Sequence, residues 1–329
     1  MKFRKTLSTT ATLLLIFVTA TDSSFAATKA APKQIKVVAA RPNLVTNLSA
    51  AAGDQISAIL TTSTAVAYVG TMESSTVAPY TAQQIGGTDG FIAVIDATGA
   101  PIWDLRLGTA QDDIATAVAR DRVGNFWVVG VSAKPAAITQ TQTATDPQVI
   151  NVDGVSVDPV TTPNSNLSQM VVWKVDVSGA IQATYVYDTY GVIMPTAITY
   201  SATKFIITGL VGSTISQQGF KVELDSLGHF SKFVSNKVVA LPTGQVTSIK
   251  AGANTIKYFS GVKTIAGIKS WKPKVLTPVV VSYSRSGAVA AAYSLPGKVL
   301  SVSWQAGVGL VALSEIGNSY GISIIDGLA

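Results

Sequence analysis

From residue 42 onward the apolar positions come in runs of five to eight residues, rich in Val, Ile, Thr and aromatics, with short Gly-containing segments between them. Within a run, apolar and polar residues alternate, or the run is apolar throughout. That is the period-two pattern of strands, and helical periodicity is almost absent. The runs recur as a unit. Residues 89–131 align with 169–211: Phe91–Asp96 matches Val171–Asp176, and Phe126–Gly130 matches Phe205–Gly209. A third copy starts at Gly219 and a fourth near Pro278. Each copy predicts four strands. The turn inside it reads Asp96-Ala-Thr-Gly99, Asp176-Val-Ser-Gly179, Asp225-Ser-Leu-Gly228 or Ser284-Arg-Ser-Gly287. An Asp there accepts hydrogen bonds from the turn backbone, and the Gly takes the φ > 0 position before the next strand. Four-stranded units repeating every ~50 residues predict a β-propeller.

The third run of each unit is built from small residues, as in Ile56–Ile59 and Ile114–Ala119. The crowded axis of a propeller favours such residues, so this run is expected innermost, as strand A. A strands are then predicted near 54–60, 113–120, 194–200, 245–250 and 298–304, and B strands near 65–71, 125–131, 203–210, 255–262 and 308–314. C strands follow near 90–96, 170–176, 219–225, 278–284 and 320–326, and D strands near 101–107, 181–187, 229–234 and 288–294. The last C strand, Tyr320–Asp326, has no D strand after it, and the first run, Asn43–Leu48, has no C strand before it. Together they complete a blade. The expected fold is all-β: a single five-bladed β-propeller of four-stranded antiparallel blades, its ring closed by pairing of the N- and C-terminal strands, which removes the open edges.

Residues 86–132 carry the strand start Asp89-Gly-Phe91, the Asp96–Gly99 turn, the aromatic strand with Trp103, then Leu107-Gly108, Asp112-Asp113 and Asp121-Arg-Val-Gly124-Asn125 before a strand reaching Gly130. This succession resembles the bacterial SBBP β-propeller repeat family. The later copies lack the Asp-Asp pair, and the last lacks the turn Asp. The resemblance implies an extracellular propeller and no particular activity.

The N-terminus fits that expectation. Lys2, Arg4 and Lys5 precede an apolar stretch, Ala11–Ala20, and small residues at Ser24 and Ala26 precede a cut after Ala26. Residues 1–26 read as a signal peptide, 27–41 as an Ala/Lys linker, and 42–329 as the propeller, with a loop insert at 132–169. The apolar stretch is too short for the ~20 residues of a spanning helix, so no membrane span is expected after cleavage. The expected location is secreted, extracellular or cell-surface associated. The absence of Cys excludes a lipobox anchor, disulfides, Cys-ligated metals and thiol catalysis, and a single His excludes multi-His metal sites. Leu241-Pro-Thr-Gly244 sits mid-chain without an apolar tail and is not a sortase signal.

Net charge is +6, from 24 Lys and Arg against 18 Asp and Glu. Seven of those cations precede residue 42, so the propeller is neutral and no nucleic-acid partner is expected. Its halves differ: residues 42–190 hold 5 basic and 13 acidic residues, residues 191–329 hold 12 and 4.

The A–B and C–D turns are short, whereas B–C connections run about 71–89, 132–169, 211–218, 263–277 and 315–319. The face carrying these loops is the expected binding face. Val149–Val157, with Asp153-Gly154 at its centre, predicts a hairpin in the insert: an arm over the opening or a decorated loop. Asp54, Asp112 and Asp113 begin the first two A strands on that face. They are candidates for a Ca²⁺ site, an acid/base pair, or caps on loop backbone. Asp146, Asp153 and Asp158 offer a second Ca²⁺ option without EF-hand spacing. No other cofactor is predicted. Lys263, Lys269, Lys272 and Lys274 surround Trp271 and fit an anionic polymer, a stacked sugar or a plain solvated loop. Gly317-Asn-Ser319-Tyr-Gly321 matches a hydrolase-elbow pattern, but a strand follows it and His229 lies at the opposite face. The leading expectation is a non-catalytic module that binds an envelope glycan or protein partner. Two alternatives are a carboxylate-dependent polysaccharide-active enzyme and a structural envelope component.

Overall fold

The computed structural model describes residues 35–49, 51, 53–73, 80–133, 140–143, 167–189, 191–212, 217–237 and 245–325. The predicted signal peptide, the hairpin at 149–157 and Asp146, Asp153 and Asp158 lie outside them. The chain from Ile35 forms one compact unit. No helix among the described residues is long and apolar enough to cross a membrane.

The unit is a five-bladed β-propeller, as the repeats predict. Blade I is β3 (Gln55–Thr61), β4 (Ala65–Met72), β5 (Asp89–Asp96) and β6 (Pro101–Leu107). Blade II is β7 (Asp113–Arg120), β8 (Phe126–Ser132), β10 (Gln169–Val175) and β11 (Ile181–Asp188), with β9 (Gln140–Thr143) added parallel at its outer edge. Blade III is β12 (Val192–Ser201), β13 (Lys204–Gly212), β14 (Gln217–Asp225) and β15 (Val234–Lys237). Blade IV is β16 (Gln245–Ala251), β17 (Asn254–Val262), β18 (Thr277–Tyr283) and β19 (Val289–Ser294), with β1 (Val38–Ala39) parallel on β19. Blade V is β20 (Lys298–Gln305), β21 (Gly309–Ile316), β22 (Ser319–Ile325) and β2 (Pro42–Ser49), and its antiparallel β2–β22 pair closes the ring.

Two differences from the sequence reading have local causes. The last strand of blade III begins at Val234 rather than near 229. Phe230 turns into the core and makes a single bridge with Leu224; the Ser231 amide donates to the Glu223 carbonyl at 2.7 Å, but its hydroxyl instead of a backbone carbonyl accepts from the Glu223 amide at 2.9 Å, so the continuous ladder starts only at Val234. The described end of the predicted linker is also engaged. Val38–Ala39 pair with Tyr293–Ser294, and Ile35 and Val37 pack on blade IV. Added edge strands cover the backbone groups that an open sheet edge presents.

The core lies between blades and alternates with the strand period. Trp127 stacks on Phe205 of the next blade at 4.3 Å, and Trp103 donates its indole N–H to the Val177 carbonyl in the next blade at 3.0 Å. The innermost strands touch one another around the axis, with the Ile59 and Thr61 amides donating to the Ser301 and Ser303 hydroxyls at 3.2 and 2.9 Å.

Every innermost strand carries one register break, at Ile56/Ala58, Ala115/Ala117, Pro195/Ala197, Gln245/Thr247 and Val299/Ser301. The extra residue is Ser57, Thr116, Thr196, Val246 or Leu300. Opposite the break in blades I–III stands a glycine: Gly70, Gly130 or Gly209. A Cβ there would lie 2.0 Å from the Gln55 carbonyl oxygen, 1.9 Å from that of Ile114 or 2.2 Å from that of Met194. Blades IV and V have Phe259 and Ser314 at that register, so the bulge alone tolerates a side chain. It is the close approach that excludes one in blades I–III.

Candidate functional site

Bulges re-aim side chains, and three of these five turn theirs into one cleft. Ser57, Thr116 and Thr196 line a cleft of about 530 Å³ where the innermost strands of blades I–III begin, on the long-loop face. Gln55, Thr71, Glu73, Thr88 and Asp112 complete its polar wall, and Ile114, Leu167, Met194 and Pro195 its apolar part. Thr116 and Thr196 donate their hydroxyls to the Val129 and Thr208 carbonyls at 3.2 and 3.4 Å, which leaves the oxygens as acceptors. Thr71 is 7% exposed, and its Oγ1 has no hydrogen-bond partner among the described residues. Leaving a buried polar atom unmet is costly.

The described part of the first long loop beside the cleft, residues 80–89, is tied down. Tyr80 sits edge-on to Tyr68 and Phe91, with ring centroids 6.2 and 5.5 Å away. Burial raises the pKa of the Tyr80 and Tyr68 hydroxyls, that of Tyr68 to about 12. Asp104 accepts from the Thr81 and Ala82 amides at 2.9 and 2.6 Å. Asp89 accepts from the Ile85 and Gly86 amides at 2.9 Å and lies 3.7 Å from the Arg106 guanidinium, both side chains fully buried.

The predicted carboxylates stand at this wall in three different ways. Asp54, half-buried beside the cleft, accepts from the Ala51 and Glu73 amides at 3.1 and 2.9 Å. Asp112 is exposed, lines the cleft, and accepts from the Thr88 amide at 3.1 Å. Asp113 is completely buried, and its Oδ2 receives the Thr109 amide and hydroxyl at 2.7 and 3.0 Å. Burial raises the Asp113 carboxyl pKa, hydrogen bonds from Ser132 and Thr109 oppose this, and the nearby Asp89 charge adds to the rise. All three hold loop backbone. Among the described residues, no group of three or more His, Asp or Glu is gathered to hold a metal.

Lys269 and Lys272 stand apart, exposed on the 263–277 loop of blade IV. Trp271 between them is half-buried against the outer core of that blade and donates its indole N–H to the Val262 carbonyl at 3.3 Å. His229 sits in its turn at the opposite face, with Nδ1 3.1 Å from Asp225 Oδ2.

The sequence reading missed Ser57, Thr71, Thr116 and Thr196. Its usable signal was a hydroxyl near the start of each of the first three small-residue strands.

No protein-family model matches the chain, and no curated protein matches it. Solved structures to which the chain is similar include a protein of unknown function from Bacteroides caccae, with TM-score 0.36 and 7% identity over 74% of this chain and 82% of that one. A member of the DUF4221 family from Bacteroides vulgatus has TM-score 0.31 and 9% identity over 90% and 99%. Pyrococcus horikoshii acylaminoacyl peptidase has TM-score 0.28 and 8% identity over 79% of this chain and 42% of that one.

Proposed function

We propose that this chain is an exported, non-catalytic binding propeller of SBBP type that holds an uncharged, hydroxyl-rich glycan of the cell envelope in the cleft of blades I–III. The observation that carries the reading is the trio Ser57, Thr116 and Thr196. The same backbone irregularity aims three short hydroxyl side chains into one cleft beside the unmet Thr71 hydroxyl. Thr116 and Thr196, their protons given to backbone carbonyls, offer acceptors to ligand hydroxyls, and Ser57 carries a hydroxyl that can donate or accept. The apolar wall of Ile114, Met194 and Pro195 suits a sugar's C–H face. Asp54 and Asp113 are occupied with loop amides and serve as supports rather than as reacting groups. The basic n-region, short apolar core and small residues before Ala27 support export.

The test is equilibrium binding to a neutral-glycan array and to muropeptide fragments. Ser57→Ala together with Thr116→Ala is expected to weaken capture at least tenfold with an unchanged melting temperature. Undiminished capture would overturn the cleft assignment, and turnover of a bound glycan that Asp112→Asn abolishes would overturn the non-catalytic one.

A further inference from the structure

The strongest surface feature outside the cleft is on blade IV. Residues 226–314 carry ten Lys or Arg and no Asp or Glu. Four of these cations, Lys263, Lys269, Lys272 and Lys274, are exposed on the 263–277 connection, at the long-loop face. That loop is anchored. Ile265 and Ile268 bridge to each other and are buried at 7% and 3% exposure with Val262 and Val279, and the Trp271 indole bonds to Val262. With its anchors buried, the loop still leaves two adjacent aliphatic side chains in water. Val275 is 70% exposed and Leu276 63%. The Leu276 Cβ would be 3.2 Å from a Cβ on Gly261, so the pair stands directly over the strand end.

We propose that this loop is a docking surface for an anionic lipid bilayer, with Val275 and Leu276 entering the headgroup boundary and the four lysines lying over it. Charge complementarity selects an anionic partner. The exposed aliphatic pair selects lipid over a soluble anionic polymer, which offers nothing apolar to receive it. Trp271, whose indole N–H and ring are engaged inside the loop, is a brace here and not a stacking platform for sugar. The surface is separate from the cleft, so an exported propeller docked this way keeps its cleft on the same, membrane-side face.

The test uses the chain from Ala27 onward, which keeps the whole compact unit from Ile35 while omitting the apolar N-terminal stretch. Its co-sedimentation is measured with vesicles of phosphatidylcholine alone and with 30 mol% phosphatidylglycerol, at about 50 and 200 mM salt. Partitioning is expected onto the anionic vesicles only. It should weaken about fivefold for each Lys→Gln change among the four and at least tenfold in Val275→Ser/Leu276→Ser. Near-ultraviolet circular dichroism should stay unchanged in every variant. No binding to anionic vesicles overturns the proposal. So does binding that the lysine changes leave intact, and so does binding lost with the lysines but indifferent to Val275→Ser/Leu276→Ser. That last pattern would mark an anionic-polymer site.

Discussion

Gly130→Ala is the sharpest test of the bulge geometry on which the cleft rests. The new methyl carbon would stand 1.9 Å from the Ile114 carbonyl oxygen and 2.9 Å from a ring carbon of Trp173. Real Cβ contacts do not fall below 3.0 Å, so β7 and β8 must separate by roughly 1 Å at a site where every residue of β8 is buried. Overpacking a tight interior costs about 1–3 kcal/mol and can exceed that. Each ladder hydrogen bond lost as the bulge opens adds about 0.5–1.5 kcal/mol. The expected loss is about 3–5 kcal/mol, a fall of roughly 5–8 °C in melting temperature for a domain of this size. The control is Gly307→Ala. Gly307 has φ +81°, and a methyl added there would meet no heavy atom within 4 Å, so it isolates backbone strain, worth about 1–2 kcal/mol. Thermal and urea unfolding of both variants decide the matter. Gly130→Ala melting within 2 °C of the parent, or no lower than Gly307→Ala, would refute the steric argument.

Other perturbations follow from the same structure. Ending the chain at Asn318 removes β22, which pairs with both β21 and β2 and carries the buried Ile322 and Ile325; loss of a single cooperative transition is expected, and an unchanged melting curve contradicts closure through that blade. Arg106→Met leaves the buried Asp89 carboxylate without its cation and should cost about 3–5 kcal/mol in urea unfolding, with part recovered in Arg106→Met/Asp89→Asn. Burial opposes charge on Asp121, but the Trp127 indole, the Asn125 side chain and the turn amides outweigh it and lower its pKa below 3.8. That stabilisation is present above the unfolded value and lost as pH falls through the folded one, so the stability gap between the parent and Asp121→Asn should narrow below about pH 4. Asp113, raised by burial, acts in the reverse sense: its share is present below the unfolded value and disappears as pH rises through the folded one.

The architecture was legible because two local signals agreed. Period-two runs marked the strands, and Asp96, Asp176 and Asp225 each mark a turn that their own carboxylates organise, with Oδ1 accepting two residues ahead at 2.8–2.9 Å. What escaped the pattern was short or non-local. β1 and β9 are parallel edge strands of two and four residues with no turn to announce them. The bulges shift register by one residue inside small-residue strands, where alternation is too weak to reveal it, so Ser57, Thr116 and Thr196 passed as axial filling. Asp54 and Asp112 stand at the strand starts on the long-loop face, where the sequence puts them. Their roles depend on the amides of Glu73 and Thr88, donors 19 and 24 residues away in the chain, and no spacing rule encodes that pairing. Ile265 and Ile268, three apart beside Trp271, were the available hint that the tryptophan braces its loop.

The central claim is that the ligand enters the cleft of blades I–III. The most direct test is a crystal structure of the chain from Ala27 grown with the tightest-binding oligosaccharide from the array. Density in contact with Ser57, Thr116 and Thr196, with a sugar oxygen within hydrogen-bond distance of at least one of their hydroxyls, is the predicted result. A sugar seated on the opposite face, among the Asp96, Asp176 and Asp225 turns, would contradict it.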